Sequence, residues 1–125
     1  MSRKEIRSPA AASVGPYSHG IDADGLIFAS GQAAMDPKTG KMVEGGVKAQ
    51  AEQTFKNLAG VLEAAGLTFD NVQKVNVYLT DMGDFAAMNE VYQKQFTKPY
   101  PARTTIGVAS LPMGAQIEIE LIAKR

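Results

Sequence analysis

The chain has no cysteine and no tryptophan, and it has a single histidine, His19. Without cysteine there is no disulfide, no thiol nucleophile and no thiolate-held metal. The composition fits a reducing compartment, and the fold must stand on its core alone. His19 lies in Gly15-Pro16-Tyr17-Ser18-His19-Gly20, outside any G-x-S-x-G context, and reads as a hydrogen-bonding loop residue. Charge of one sign is also lacking, since 13 basic residues balance 13 acidic ones. That balance gives no global pull towards nucleic acid or an acidic membrane surface. No apolar run is long enough to span a bilayer, and Met1-Ser2-Arg3-Lys4-Glu5 lacks the apolar core of a secretory signal. The acids show no EF-hand spacing, and the glycines form neither a Walker loop nor a dinucleotide fingerprint. These exclusions point to a soluble, cytoplasmic protein with no legible metal site, folded as one domain over residues 1–125.

What is present is periodic. Val47, Ala51, Thr54, Phe55, Leu58, Val61, Leu62 and Ala65 recur at three- and four-residue steps, which predicts a helix over 47–65. Gly66 stands where such a helix needs a left-handed residue, and Leu67 can fold back onto it. A second helix is predicted from Phe85 to Phe96, capped by Asp84, with Phe85, Met88, Tyr92 and Phe96 inward. Thr97-Lys98-Pro99 ends it. Leu26 to Gln32 reads as a central strand, apolar on both faces. Alternation predicts further strands around 75–79, 103–108 and 117–122, with shorter ones around Lys4 to Arg7 and Ser18 to Asp22. Asp36-Pro37-Lys38-Thr39-Gly40 is a turn by its chemistry.

About six strands and two amphipathic helices define an α+β sheet with both helices on one face. On this reading the opposite face carries Asn76, Tyr78, Arg103, Thr105, Glu118, Glu120 and Ile122. Either solvent or a second copy of the chain could cover it. Two residues there stand out for chemistry. Prolines deliver Arg103 to the start of its strand, and a guanidinium fork matches a small carboxylate. Glu118 is the acid on the last alternating strand. Were 103–108 and 116–123 to pair, Arg103, Thr105 and Glu118 could line one pocket. Equally, Arg103 could pair with Glu118 or Glu120 on a solvated sheet face.

The segments Pro101-Ala102-Arg103-Thr104-Thr105-Ile106-Gly107-Val108-Ala109-Ser110-Leu111-Pro112 and Ile117-Glu118-Ile119-Glu120-Leu121-Ile122-Ala123 resemble the C-terminal signature of the RidA/YjgF family. Gly15-Pro16-Tyr17-Ser18, Phe28-Ala29-Ser30-Gly31-Gln32, Gln53-Thr54-Phe55-Lys56-Asn57-Leu58, Val75-Asn76-Val77-Tyr78-Leu79 and Met88-Asn89-Glu90-Val91-Tyr92 extend the resemblance, in order, over almost the whole chain. It implies a chorismate-mutase-like fold of the bacillar type and a homotrimer. The three sheets would form a central barrel, with clefts at the subunit interfaces. It also implies hydrolysis of reactive 2-imino acids, 2-iminobutanoate and 2-iminopropanoate, to the 2-oxo acid and ammonia, without cofactor or metal.

Carried onto this chain, the resemblance makes Arg103 the grip on the substrate carboxylate, aided by the backbone N–H of Gly31. The main chain of Thr105 would hold the imine nitrogen, and Glu118 would activate the attacking water. Tyr17, Ser30 and Asn89 would shape the pocket. Many family members have cysteine where Thr105 stands, so any thiol role is absent from this chain. The stretch between the second helix and Pro101 is also somewhat short for the family. Two alternatives stay open: a non-catalytic trimer that binds small carboxylates or acts like a chaperone, and an endoribonuclease or translation inhibitor, after the family's other label, endoribonuclease L-PSP. One histidine and a neutral chain supply little of what RNA cleavage needs.

Overall fold

The computed structural model describes residues 3–11 and 15–125. Its strands are β1 (Arg3–Ile6), β2 (Gly20–Ala23), β3 (Leu26–Gln32), β4 (Val72–Leu79), β5 (Ala102–Gly107) and β6 (Ile117–Lys124). Helix α1 (Gly46–Ala64) leads from β3 towards β4, and α2 (Phe85–Tyr92) lies between β4 and β5. The strands form one mixed sheet in the order β1-β2-β3-β6-β4-β5. Only β4 and β5 run parallel, which requires a crossover, and α2 supplies it.

One face of the sheet meets the helices. Ile27, Val75, Val77, Leu79, Ile117, Ile119 and Leu121 pack there against Phe55, Leu58 and Leu62 of α1 and Met88 of α2, all essentially without exposure. Phe55, Phe69, Tyr92 and Phe96 add an aromatic cluster with ring centres 4.9–6.1 Å apart. Edge-to-face pairs of this kind favour one arrangement over the many a purely aliphatic core allows. Helix α1 ends as its sequence predicts. Gly66 has φ +76°, its N–H donates to the Glu63 carbonyl, and the Leu67 N–H donates to the Leu62 carbonyl. This pair of bonds satisfies the carbonyls that a helix end leaves open.

Several expectations are corrected. The second helix stops at Tyr92, because the N–H groups of Lys94 and Gln95 turn to the carbonyls three residues back. Phe96 still reaches the core from the following turn. Asp84 makes no side-chain cap; instead Asp81 accepts from the Gly83 N–H and caps a short 3-10 turn before α2. Strand β3 is central but not covered on both sides, with Phe28 43% exposed. The largest correction concerns β5. Strands 103–108 and 116–123 do not pair, since β4 lies between them. The parallel register sets Arg103 beside Val75 and Thr105 beside Val77, on the helix face. Thr104 and Ile106 occupy the open face instead, where Lys74 donates to Thr104.

His19 anchors the start of the sheet. Its Nδ1 accepts the Ser8 N–H at 2.9 Å, and its carbonyl accepts the Ser30 N–H. Burial, helped by the Arg7 charge, holds the imidazole below its usual pKa. A base with a depressed pKa stabilises the fold above its ordinary value, about 6.5, and loses that contribution as pH falls through the lower folded one. Protonation also turns the acceptor at Nδ1 into a donor. Hydrogen exchange at the Ser8 amide, measured relative to Val77, is expected to accelerate across the acid range. His19→Gln, which keeps an acceptor but cannot titrate, should remove that pH step.

Candidate functional site

The candidate residues fall into two groups on opposite faces of the sheet. The first surrounds a cleft of about 350 Å³ lined by Tyr17, Ser30, Gly31, Pro112 and Glu118, together with Gln32, Ala33, Met35, Met42 and Met113. A β-bulge creates it. The step from Ala29 to Gln32 on β3 spans only Leu121 to Ile119 on β6, so Ser30-Gly31 carries one residue more than its partner strand. Such a bulge bends the strand and re-aims its side chains. The Ser30 hydroxyl donates to the Ser18 carbonyl at 2.6 Å, tying the loop that bears Tyr17 to the bulge.

Glu118 lies directly against Gly31. A Cβ at that position would stand 2.6 Å from Glu118 Oε2 and 3.0 Å from its Cδ. Glycine is therefore required for the carboxylate to occupy this place. Desolvation, and then repulsion from Glu120, raises the Glu118 pKa. Glu120 is itself occupied, accepting from the Tyr78 hydroxyl at 2.6 Å, and that bond pushes the Tyr78 pKa up to about 12. Glu118 thus combines a raised proton affinity with an open cleft, the properties wanted in a base that handles water.

The second group is built on α2. Phe85, Asn89 and Tyr92 follow one another at steps of four and three residues, so they share a helix face. Arg103 inserts among them. Its Nη1 donates to Asn89 Oδ1 at 2.7 Å, and its guanidinium carbon lies 4.5 Å from the Tyr92 ring centre and 5.5 Å from that of Phe85. The ion pairs among the described residues join Arg7 to Glu5, Lys48 to Glu90 and Arg125 to Asp22, leaving Arg103 without a carboxylate. Aromatic faces and an amide orient the cation without neutralising it. Thr105 follows on the same face of β5, its hydroxyl buried with no partner among the described residues.

The fold therefore brings Tyr17, Ser30, Gly31 and Glu118 together, and Arg103 together with Asn89 and Thr105 close by on β5. It does not bring Arg103 and Glu118 into one pocket of one chain, nor does it pair Arg103 with Glu118 or Glu120. Phe85 and Tyr92 act beyond the core role that their spacing suggests; their four- and three-residue steps from Asn89 were the available signal. No group of three or more His, Asp or Glu side chains among the described residues converges as a metal-ligand cluster. Among the described residues no helix is long and apolar enough to cross a membrane.

Comparison with known proteins agrees with this fold. The family model described as endoribonuclease L-PSP matches residues 7–125. Protein DfrA of Myxococcus xanthus is 48% identical over 126 residues, covering 98% of this chain and 96% of that protein. The mouse 2-iminobutanoate/2-iminopropanoate deaminase is 47% identical over 122 residues, covering 97% and 90%. Among solved structures, RidA from the Antarctic bacterium Psychrobacter sp. PAMC 21119 superposes with a TM-score of 0.95 at 44% identity, covering 98% of this chain and 100% of that one. Escherichia coli TdcF, solved with bound serine, superposes at 0.91 with 38% identity, covering 98% of each chain. The chain belongs to the RidA/YjgF family, which also carries the endoribonuclease L-PSP label.

The raised Glu118 pKa has a consequence for stability. A carboxyl whose folded pKa is raised contributes stability below its ordinary value and loses it as pH rises through the folded one. At neutral pH the ionised Glu118 is thus a cost to the fold. Glu118→Gln is expected to melt at a higher temperature than the wild type at neutral pH. The gap should close in acid, where both side chains are uncharged.

Proposed function

We propose that the protein is a cofactor-independent hydrolase of 2-imino acids such as 2-iminobutanoate and 2-iminopropanoate, assembled so that one copy's Arg103 group faces another copy's Glu118 cleft. The observation that carries this reading is the pair of incomplete half-sites: an oriented guanidinium with no counter-charge, and a raised carboxylate over an open cleft. A 2-imino acid presents a carboxylate to the first and an electrophilic iminium carbon to the second. Relatives named deaminases of these imines, and a relative holding serine, a small amino acid, support the substrate class. Exposed Leu26, Phe28 and Ile106 on the open face suit coverage by further copies, as in the trimeric barrel that the family resemblance implies.

In the proposed reaction the free donors of the Arg103 guanidinium and the Gly31 N–H bind the carboxylate. The main chain of Thr105 binds the imine nitrogen. Glu118 takes a proton from water as its oxygen bonds to the iminium carbon, giving a tetrahedral carbinolamine. The same proton passes to the nitrogen, and ammonia leaves with the C–N bonding pair while the carbinol hydroxyl gives its proton to Glu118 and the 2-oxo acid forms. The departing ammonia takes up that proton and is released as ammonium. General-base help contributes typically 10²–10⁴-fold, and fixed orientation adds to it. Tyr17, Ser30 and Asn89 position the groups that react. Phosphodiester cleavage is poorly served, because the one histidine is 3% exposed and bonded to the Ser8 backbone.

The test supplies 2-iminobutanoate in situ from a threonine dehydratase and follows its decay. Wild type should accelerate it; Arg103→Ala and Glu118→Gln should each lose about 100-fold or more in kcat/KM while staying folded. Activity should fall on the acid side as Glu118 protonates, with its inflection above the ordinary carboxylate value of about 4.3. An unchanged spontaneous rate with wild type would instead leave a small-carboxylate-binding protein. Shared sites make a separate prediction. Unfolding and refolding the two inactive variants together should restore activity, to roughly a quarter of wild type for random trimers with head-to-tail interfaces. Mixtures that stay inactive would place each site within one copy.

A further inference from the structure

Two acids stand on the same face of β6, and the proposed reaction uses only one of them. Glu118 and Glu120 are two residues apart, so both rise on the open side of the sheet. They part in opposite directions. Glu118 lies against β3, its Oε2 2.6 Å from the point where Gly31 would carry a Cβ. Glu120 is drawn to β4, where its Oε1 accepts from the Tyr78 hydroxyl at 2.6 Å. Register alone would pair them otherwise. Tyr78 stands directly opposite Glu118, and Asn76 opposite Glu120, yet the phenol reaches diagonally past its own partner. A phenol-to-carboxylate bond of this length is charge-assisted, among the stronger hydrogen bonds in proteins. Tyr78 is not itself a proton shuttle, because the Glu120 bond pushes its pKa up to about 12 and keeps it a donor.

We propose that Tyr78 and Glu120 are positioning residues for Glu118: the phenol holds Glu120 on the β4 side, where its charge acts on Glu118 across space but cannot take a share of its proton. The proposal rests on the imine-hydrolase reading for what Glu118 does, and it adds what keeps that carboxylate fit to do it. Among the described residues, the charge that bears on Glu118 is that of Glu120. The other ionisable groups around it are disposed differently. Lys74 of β4 turns to Thr104 of β5, Lys124 stands at the far end of β6, and β3 carries no ionisable side chain. Tyr17 shares the cleft, and Arg103 of the same chain lies on the helix side. On the proposed reading another copy's Arg103 also faces Glu118, equally in every variant compared below. Two carboxylates free to meet would hold one proton between them and titrate as a pair. Held apart, Glu120 strengthens Glu118 as a base by repulsion alone, and Glu118 keeps its proton to itself.

The test records kcat/KM against pH for 2-iminobutanoate with wild type, Glu120→Gln, Tyr78→Phe and the double variant, reading the acid limb relative to the plateau. Glu120→Gln removes the charge, so Glu118 should ionise more readily. The limb-to-plateau ratio should then rise by about twofold or more, the effect of a unit charge about 7 Å away even in bulk water. Tyr78→Phe frees Glu120 to approach Glu118, so the ratio should fall by about twofold or more. Because Tyr78 acts only through Glu120, the double variant should match Glu120→Gln alone. A pair that merely supports the sheet would lower the melting temperature of both single variants and leave these ratios unmoved. A carbon-13 titration of the Glu118 carboxyl, assigned with Glu118→Gln, reads the same order without turnover. Opposite displacements of the two single variants in both measurements carry the proposal. Turnover with coincident titrations, or with both single variants displaced the same way, would overturn it and leave the hydrolase standing. Opposite displacements of the carboxyl titration, without turnover by wild type, would keep the coupling and remove the hydrolase. Neither displacement nor turnover would end both.

Discussion

The site depends on the placement of β4 between β6 and β5, antiparallel to one and parallel to the other. Val75, Val77 and Leu79 bury this strand so completely that its register cannot slip, because a one-residue shift would expose the entire row. Both functional strands inherit their facing from it. Antiparallel pairing sets Glu118 beside Tyr78 on the open side, and parallel pairing sets Arg103 beside Val75 on the helix side. The arginine and the glutamate are thereby kept apart by the same hydrophobic row that holds the sheet together.

Each half-site is arranged against the fold's own interest. Ionised Glu118 is desolvated and repelled by Glu120, and its position demands a glycine beneath it. Arg103 is half-buried with its charge faced by rings and an amide rather than a carboxylate. A protein selected for stability alone would pair the two or remove them. Local choices that conflict with folding, set inside an otherwise consistent core, mark where function is located. The bulge at Ser30-Gly31 belongs to the same pattern: it breaks the β3–β6 ladder at the point where the carboxylate needs room.

Much of the fold was legible because it follows from burial. The α1 stripe, the Gly66 stop, the Asp36–Gly40 turn and the β4 and β6 alternations all express one dominant physical demand on each segment. Strand β5 was not legible in this way. Its two rows, Arg103 and Thr105 against Thr104 and Ile106, are nearly balanced in hydropathy, and alternation placed the more apolar row inward. The fold does the reverse, because α2 offers Arg103 an aromatic and amide cage that no local pattern on β5 can announce. Ile106 is left 46% exposed as a result. Arg103 and Glu118 were nominated by residue type and by family resemblance. Their separation onto two faces is a property of strand order, which sequence periodicity does not contain.

That separation is more than a constraint to be overcome. At about 4 Å an arginine and a glutamate near a protein surface attract by roughly 4 kcal/mol, and such a pair would close on itself. The guanidinium would no longer be free for a carboxylate, and the carboxylate's pKa would fall, leaving a weaker base for water. Placed on opposite faces of one chain, neither can neutralise the other within that chain. On the proposed reading they meet only across an interface, with a substrate between them whose carboxylate satisfies one and whose iminium satisfies the other.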